Sequence, residues 1–340
     1  MSYKTRLLTS SQEDIEYAAE LIRQGELVGM PTETVYGLAA DAENPEAVKK
    51  IFEAKGRPQD NPLIVHLADI LQVEEYVRDV PEIAYKLAEH FCPGPLTMVL
   101  PKRDRIPDVT SAGLDTVGIR IPGHKTARTL IKASGKAIAA PSANLSGSPS
   151  PTTAMHVMKD MEGRIPAVID GGSCPVGVES TVISFEDGRI RLLRPGFISA
   201  EELSEFAEVI ADRHITEAAS EGEQVRSPGM KYKHYSPKAN VTIIDGSEKE
   251  YLEYVNSHIE DGTFAMSFDS IAADCRIPCI SYGDTSEEQA ARLFAVLREF
   301  DEVGARQVYA QCPSADGVGL AVYNRLLRAA GFEIVKIQKE

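Results

Sequence analysis

Basic and amide side chains are concentrated in KGRPQDNPLIVH, the segment from residue 55 to residue 66. Lys55 and Arg57 stand one residue apart, and Asn61 follows between two prolines that restrict the backbone. A guanidinium offers a rigid fork of donors and an ammonium a mobile point charge, so together they suit a polyphosphate. Taken alone the pair is more typical of a solvated helix end, but the rigid surroundings favour a site for a polyanion.

A second polar cluster follows the apolar segment AIAA, in the sequence APSANLSGSPSPT from residue 140 to residue 152. Ser142, Asn144 and Thr152 belong to this hydroxyl-rich stretch. Ligands of α/β folds bind where strands end, so the stretch is a candidate nucleotide-binding loop. An ordinary Ser/Pro surface loop has the same composition and remains the alternative.

Two arginines lie in segments that otherwise read as strands. Arg120 lies within TVGIRIP, where an unpaired buried guanidinium would be costly, so it needs an anion from the protein or from a ligand. Ser180 in GVESTVISF and Arg194 in LLRPG are expected on adjacent hairpin strands, and Thr34 follows another strand in PTETVYGL.

The elements that must position these residues mix two kinds of connection. Helices are predicted at DIEYAAELIRQG, NPEAVKKIFEAKG and PEIAYKLAEHF, and Asp187-Gly188 is a hairpin turn signal. The order combines βαβ units with hairpins. The sequence therefore predicts an α/β fold whose N-terminal part is a large mixed twisted sheet covered by helices.

The domain organisation follows from a change in composition after residue 200. We predict a catalytic domain over residues 1–211, a polar linker over 212–238, and a smaller domain over 239–340. In the last of these, strands and helices alternate as in a Rossmann-like parallel α/β fold. A chain of 340 residues is long enough for two ordinary domains.

The net charge and the cysteine content argue against some classes of protein. The net charge is −15, whereas a protein that wraps a long nucleic acid has a broad basic face, so no stable nucleic-acid complex is expected. The sequence contains no run of 18 apolar residues, so it predicts no membrane-spanning helix. Five scattered cysteines are typical of reduced thiols, which together with the polar N-terminus predicts a cytoplasmic protein.

Six motifs, taken in order and spacing, resemble the YrdC/YwlC family of L-threonylcarbamoyladenylate synthases: PTETVYGL, KGRPQDNPL, TVGIRIP, APSANLSG, ESTVI and LRPG. This resemblance covers about residues 10 to 200. The later segments SPGMKYKHYSP and GVGLAVYNRLLRAA resemble the two-domain, Sua-type members, so nearly the whole chain is covered. The family's Lys-x-Arg and Ser-x-Asn signatures are intact.

The resemblance implies synthesis of L-threonylcarbamoyl-AMP from L-threonine, bicarbonate or CO2, and ATP, with release of pyrophosphate. Separate proteins would then transfer the threonylcarbamoyl group to tRNA. Mg²⁺ would arrive with ATP, without dedicated protein ligands. Lys55 and Arg57 are implied as catalytic. The implied ATP-binding residues are Lys55, Arg57, Asn61, Ser142, Asn144, Thr152, Arg194 and Tyr235. The implied L-threonine-binding residues are Thr34, His66, Thr116, Arg120 and Ser180.

The linker has a predicted role of its own. Its segment PGMKYKHYSP carries cations and aromatic rings that match a nucleotide, so we predict a lid that excludes water. A passive linker is the alternative. Two further functions stay open: a non-catalytic RNA- or ribosome-binding module that uses the same basic cleft, and a carbamoyl-handling enzyme with another acceptor.

Overall fold

A computed structural model describes residues 3–59, 61–217 and 235–337. The chain divides into two compact units, which comprise, in the described part, residues 3–146 with 150–217 and residues 147–149 with 235–337. The domain boundaries predicted at residues 211 and 239 stay predictions. The lid residues Lys231, Tyr232, Lys233 and His234 lie outside the described residues.

The first unit is built on one sheet in which eleven strands of its described residues take part. The strands are β1 Arg6–Leu8, β2 Val28–Met30, β3 Gly37–Asp41, β4 Ile64–His66, β5 Leu96–Pro101, β6 Thr116–Arg120, β7 Ile138–Ala139, β8 Ala167–Ile169, β9 Thr181–Glu186, β10 Arg189–Arg194 and β11 Val209–Ala211. Their spatial order is β1-β8-β2-β3-β7-β4-β6-β5-β9-β10-β11. The sheet contains both parallel and antiparallel pairs, which confirms the predicted large mixed sheet.

Helices pack on this sheet and fix the ends of the strands. They are α1 Gln12–Arg23, α2 Pro45–Lys55, α3 Val73–Tyr76, α4 Glu82–Phe91, α5 Asp108–Ser111, α6 Lys125–Ser134, α7 Ala154–Met161 and α8 Ala200–Ser204, with 3-10 turns at Ile70–Gln72 and Arg213–Ile215. In α2, the Asn44 side chain accepts from the Glu46 and Ala47 amides, and Gly56 ends the helix at φ +62°. These caps place Lys55 on the last turn of α2.

The second unit has a sheet of five strands, and every pair in it is parallel. In the described residues its strands are β12 Asn240–Asp245, β13 Thr263–Ser267, β14 Cys279–Ser281, β15 Gln307–Gln311 and β16 Ile334–Lys336, in the order β14-β13-β15-β12-β16. The helices α9 Glu248–Ser257, α10 Ser286–Glu302 and α11 Gly317–Ala329 alternate with them, together with a 3-10 turn at Asp269–Asp274. This alternation confirms the predicted smaller parallel α/β domain.

No helix of the described residues is suited to cross a membrane. Across residues 3–59, 61–217 and 235–337, none combines the length and the apolar character that a bilayer span needs.

Gly196 is a position where the packing of the first unit excludes any side chain. A Cβ there would lie 2.2 Å from the Thr181 amide nitrogen, which is backbone and cannot turn away. We expect Gly196→Ala to lower the free energy of unfolding by about 1–3 kcal/mol through overpacking. Urea unfolding followed by circular dichroism measures this, with Glu205→Ala at an exposed position as the control. Equal stability of both variants would contradict the packing described.

Candidate active site

Three polar side chains are aligned across neighbouring strands of the first unit. In the parallel pair β4–β6, His66 lies opposite Arg120, and in the antiparallel pair β5–β6, Thr97 lies opposite Arg120. Residues directly opposite in a sheet point to the same face. All three are buried, so the sheet register alone assembles a row of polar groups that water barely reaches.

The guanidinium of Arg120 is bound by protein groups. Its Nη2 donates to Glu33 Oε1 at 2.7 Å and its Nη1 to Thr34 Oγ1 at 3.0 Å. Only 5% of the Arg120 side chain and 12% of the Glu33 side chain are exposed. Burial by itself would raise the pKa of Glu33, but the Arg120 charge and the hydrogen bonds outweigh it and lower that pKa. Of the two anions that the sequence allowed for Arg120, the structure contains the carboxylate of the protein.

His66 is held neutral in the same row. Burial, and after it the Arg120 charge, lowers the pKa of His66 to about 3. Its Nδ1 atom is buried and has no hydrogen-bond partner among the residues that the structure describes. A neutral imidazole with one unpaired nitrogen is suited to form a hydrogen bond with a ligand rather than to carry a charge.

His66 should make the stability of the first unit depend on pH. Its folded pKa of about 3 lies below the unfolded value of 6.5, so below pH 6.5 the unfolded state binds a proton that the folded state does not. The wild-type chain should lose about 2 kcal/mol of stability at pH 5 relative to pH 8 through this group. Urea unfolding at both pH values should show a smaller difference in His66→Gln. His90→Gln, at an exposed position, should keep the wild-type difference; equal pH dependence in all three proteins would overturn the assignment.

A second part of the row runs from β5 to β10. Thr97 Oγ1 lies 2.8 Å from Ser180 Oγ, and Arg194 Nη2 donates to Ser180 Oγ at 3.1 Å and to its carbonyl at 3.0 Å. Ser180 directly precedes β9 and Arg194 ends β10, so the two residues lie at the same end of one hairpin. Arg194 and Arg120 therefore lie at the same end of the strands of this sheet.

Thr116 lies at the opposite end of β6 from Arg120, although both residues were predicted to bind L-threonine. The two residues are four positions apart in an extended strand, roughly 13 Å. Because β4 runs parallel to β6 with Ile64 opposite Gly118, Thr116 lies at the end where Asn61 enters β4. Both residues belong to the seven-residue motif TVGIRIP, and the rise of the extended strand carries them to opposite ends of β6.

Lys55 is buried and bound to the Ser-rich loop. Its Nζ donates to the carbonyl oxygens of Ser142 and Asn144, the latter at 2.6 Å. The Ser146 amide donates to the Lys55 carbonyl at 2.9 Å, so the contact runs in both directions. The predicted pair of signatures, Lys-x-Arg and Ser-x-Asn, thus meets in space, but Lys55 acts on this loop in the structure instead of presenting an open ammonium.

Arg57 and Asn61 lie on the other side of Gly56. The half-buried guanidinium of Arg57 lies 6.0 Å from the ring centre of Phe52 and 3.4 Å from the Asn61 carbonyl oxygen. The Asn61 side chain is buried, and its Oδ1 has no hydrogen-bond partner within the described ranges. A buried amide oxygen without a partner is costly unless a ligand supplies a donor.

Backbone hydrogen bonds tie the polar loops of the first unit together. The Tyr36 amide donates to the Pro151 carbonyl, and the Tyr36 carbonyl accepts from the Ala143 amide, both at 2.8 Å. The Cys174 amide donates to the Thr152 carbonyl at 2.9 Å. The loop after β2 and the Ser-rich loop are therefore held side by side, with Thr152 at their junction.

Tyr235 belongs to the second unit and is covered there. Only 2% of the residue is exposed, its ring centre lies 5.1 Å from that of Phe294, and the Arg325 guanidinium carbon lies 6.0 Å away. Its predicted role in binding ATP stays a prediction.

Sequence reasoning missed four residues that build this site. Glu33 pairs with Arg120, Thr97 pairs with Ser180, and Ser150 donates to Glu179 at 2.5 Å with both side chains buried. Glu33, Ser150 and Glu179 nevertheless lie inside segments that were recognised. Thr97 carries no signal in PLTMVLP, because only strand pairing brings its hydroxyl to Ser180.

The described part of the chain contains no cluster of metal-ligating side chains. No group of three or more His, Cys, Asp or Glu side chains there is arranged to hold a metal ion.

Comparison with known proteins gives full-length matches. A family model described as "Telomere recombination", Sua5_yciO_yrdC, matches residues 20–196, and one described as "Threonylcarbamoyl-AMP synthase, C-terminal domain" matches residues 198–331. Proteins named threonylcarbamoyl-AMP synthase from Pyrococcus abyssi and from Bacillus subtilis are each 45% identical to this chain. The alignments cover 95% and 97% of this chain, respectively, and 96% of each relative. The chain belongs to the threonylcarbamoyl-AMP synthase family.

Membership in this family extends to the three-dimensional structure. A crystal structure of Pyrococcus abyssi Sua5 complexed with L-threonine superposes with a TM-score of 0.92 at 43% identity. It covers 98% of this chain and 100% of that one. The family resemblance, inferred from six motifs up to about residue 200 and from two later segments beyond it, is therefore confirmed.

Proposed function

We propose that this chain makes L-threonylcarbamoyl-AMP from L-threonine, bicarbonate or CO2, and ATP, and releases pyrophosphate. The observation that carries the proposal is the buried polar row around Arg120, with polar candidates for a nucleotide at the other end of the same strands. Membership in the family supports it, as does the L-threonine complex of the Pyrococcus abyssi relative.

L-threonine has three polar groups, and the row offers a partner to each. Arg120 keeps guanidinium N–H donors beyond those used by Glu33 and Thr34, and these suit the carboxylate. Glu33, which the Arg120 charge keeps ionised, suits the ammonium group before it is deprotonated. The unpaired Nδ1 of neutral His66 suits the hydroxyl. A buried polar site of this kind rejects an analogue that lacks the hydroxyl, because its own groups are left unpaired.

The nucleotide is proposed to bind at the Asn61 end and to extend toward Arg194. Asn61, Thr116, Ser142 and Asn144 would hold the nucleotide by hydrogen bonds, with Thr152 beside them. Arg57 would neutralise the outer phosphates. Arg194, at the threonine end, is suited to the α-phosphate, because that phosphorus must lie next to the amino acid for the reaction to occur. Lys55 would position the Ser142–Asn144 loop and act through it.

The reaction needs positioning and charge neutralisation more than a protein nucleophile. The deprotonated threonine amine adds to CO2 and gives a carbamate. A carbamate oxygen attacks the α-phosphorus, a new P–O bond forms, and the bond to pyrophosphate breaks. Holding the two reactants in line supplies much of the rate. His66, with a pKa of about 3, is a poor proton acceptor at neutral pH, so we assign it to binding.

Mg²⁺ is proposed to enter with ATP as part of the substrate. Its ligands would then be phosphate oxygens and water, the set that Mg²⁺ commonly keeps in such sites. The product would pass to separate proteins that transfer the threonylcarbamoyl group to tRNA.

The competing function is an RNA-binding module that uses the same cleft without catalysis. It predicts RNA binding that weakens steeply with salt, and no turnover of ATP that depends on threonine. The net charge of −15 argues against it.

The test is pyrophosphate release from ATP and Mg²⁺, with L-threonine and bicarbonate omitted singly and together. We expect release only when both are present, and little release with an analogue that lacks the threonine hydroxyl. Release that ignores threonine, or none under any condition, would refute the proposed activity.

A further inference from the structure

A groove beside α6 collects three cationic side chains, none of which belongs to the candidate active site. Its volume is about 620 Å³, within the range of small-ligand sites. The polar residues that line it are Lys125, Arg128, Thr129 and Lys132 on α6, and Asp69 and Gln72 across from them.

The three cations lack partners of their own. No ion pair or side-chain hydrogen bond joins Lys125, Arg128 or Lys132 to another residue of the ranges that the structure describes, and the Nε of half-buried Arg128 is shielded from solvent without an acceptor. Elsewhere on the first unit, surface cations such as Lys49 and Lys86 pair with nearby glutamates. Water solvates the two exposed lysines, but the shielded Nε of Arg128 is costly without an acceptor, which an anion bound in the groove would supply.

Asp69 and Gln72, the acceptors across the groove, do not neutralise its three cations. Asp69 Oδ1 accepts from the Leu71 amide at 3.0 Å, and Gln72 Oε1 accepts from the Ala68 and Asp69 amides. These oxygens are used to cap the 3-10 turn at Ile70–Gln72. Three cations thus face one carboxylate, and the groove keeps a net positive charge.

The spacing of the cations matches a chain of phosphates. Lys125, Arg128 and Lys132 recur at i, i+3 and i+7 on one face of α6, so they span about 10 Å along the helix. Ala127 and Leu130 point into the core from the other face, so the cationic side chains are not needed for packing. We propose that this groove binds a small oligophosphate, either inorganic pyrophosphate or the phosphate chain of a nucleoside triphosphate, at a site separate from the candidate active site.

A small anion fits the groove better than a nucleic acid does. A long polyanion needs a broad basic surface, whereas the cations here are confined to one groove of an acidic chain. Arg128 supplies a planar fork for one phosphate, and the two exposed lysines supply point charges on either side of it.

Isothermal titration of the full chain with inorganic pyrophosphate, and in parallel with ATP, tests this proposal. Threonine is left out, so the result does not depend on the proposed reaction. Arg57→Ala is the background, because it weakens binding at the candidate active site. In that background, adding Lys125→Gln, Arg128→Gln and Lys132→Gln should weaken binding of at least one probe by at least about tenfold.

The matched control adds Lys49→Gln, Arg78→Gln and Lys86→Gln to the same background, which removes three paired surface charges of the same unit. It should bind as the background does. Arg128→Lys alone, which keeps the charge but loses the fork, should weaken binding less than the triple change. The probe that binds more tightly identifies the source of the phosphates.

Three outcomes would overturn the proposal: unchanged affinity in the triple variant, an equal loss in the control, or binding of neither probe. A fourth would do so as well, namely a single-stranded RNA that binds through the three cations while pyrophosphate and ATP do not. Thermal unfolding of each variant verifies that it is folded.

Discussion

Arg120→Ala should reduce the kcat/KM for L-threonine by about a thousandfold, as expected when one partner of a buried charge pair is removed. The threonine carboxylate would lose the cation that we propose binds it, and Glu33 is left as a buried charge that nothing balances. The same substitution should therefore destabilise the first unit by about 3–5 kcal/mol. Pyrophosphate release at varied threonine and varied ATP measures the first effect, and we expect the KM for ATP to change little.

The double variant Glu33→Gln/Arg120→Ala separates catalysis from stability. Neutralising residue 33 removes the unbalanced charge, so the double variant should recover most of the lost stability and remain inactive. Threonine-dependent release within threefold of wild type in a folded Arg120 variant would show that this arginine does not bind the amino acid.

Arg57→Ala should lower kcat by about a hundred- to a thousandfold, the loss seen when one preorganised charge-stabilising group is removed from a transition state. Arg57 is the half-buried cation beside Asn61, and it follows the Gly56 turn that ends α2. We expect the defect with saturating threonine and ATP. Arg78→Ala is the matched control, because Arg78 is exposed and pairs only with Asp79 in the described chain. Equal activity of both variants would remove Arg57 from the mechanism.

Much of the fold was predictable because local signals agree with it. Asn44, Pro45 and Gly56 mark both ends of α2, and alternating apolar segments mark the parallel sheet of the second unit. Two strands, β1 and β3, carry weak local signals in the sequence. Thus β1 has three residues at the edge of the sheet, and β3 follows the Thr-rich turn without a polar interruption that would signal a new strand.

The sequence motifs indicated candidate site residues one by one, but not the geometry that relates them. The motifs identified Arg120, His66 and Ser180, yet which groups touch depends on the register between strands that are distant in sequence. Register places Thr97 beside Ser180 and moves Thr116 to the other end of β6. Likewise the sequence showed that Lys55 carries a charge, but not that its ammonium is bound to the Ser142 and Asn144 carbonyls.

The measurement that tests the central claim most directly is mass spectrometry of the nucleotide product formed from ¹³C-labelled bicarbonate, L-threonine, ATP and Mg²⁺. We expect a product that contains threonine, AMP and one labelled carbon, formed together with pyrophosphate and absent when threonine is omitted. Formation of AMP and pyrophosphate without a labelled product, or no nucleotide product at all, would contradict the central claim.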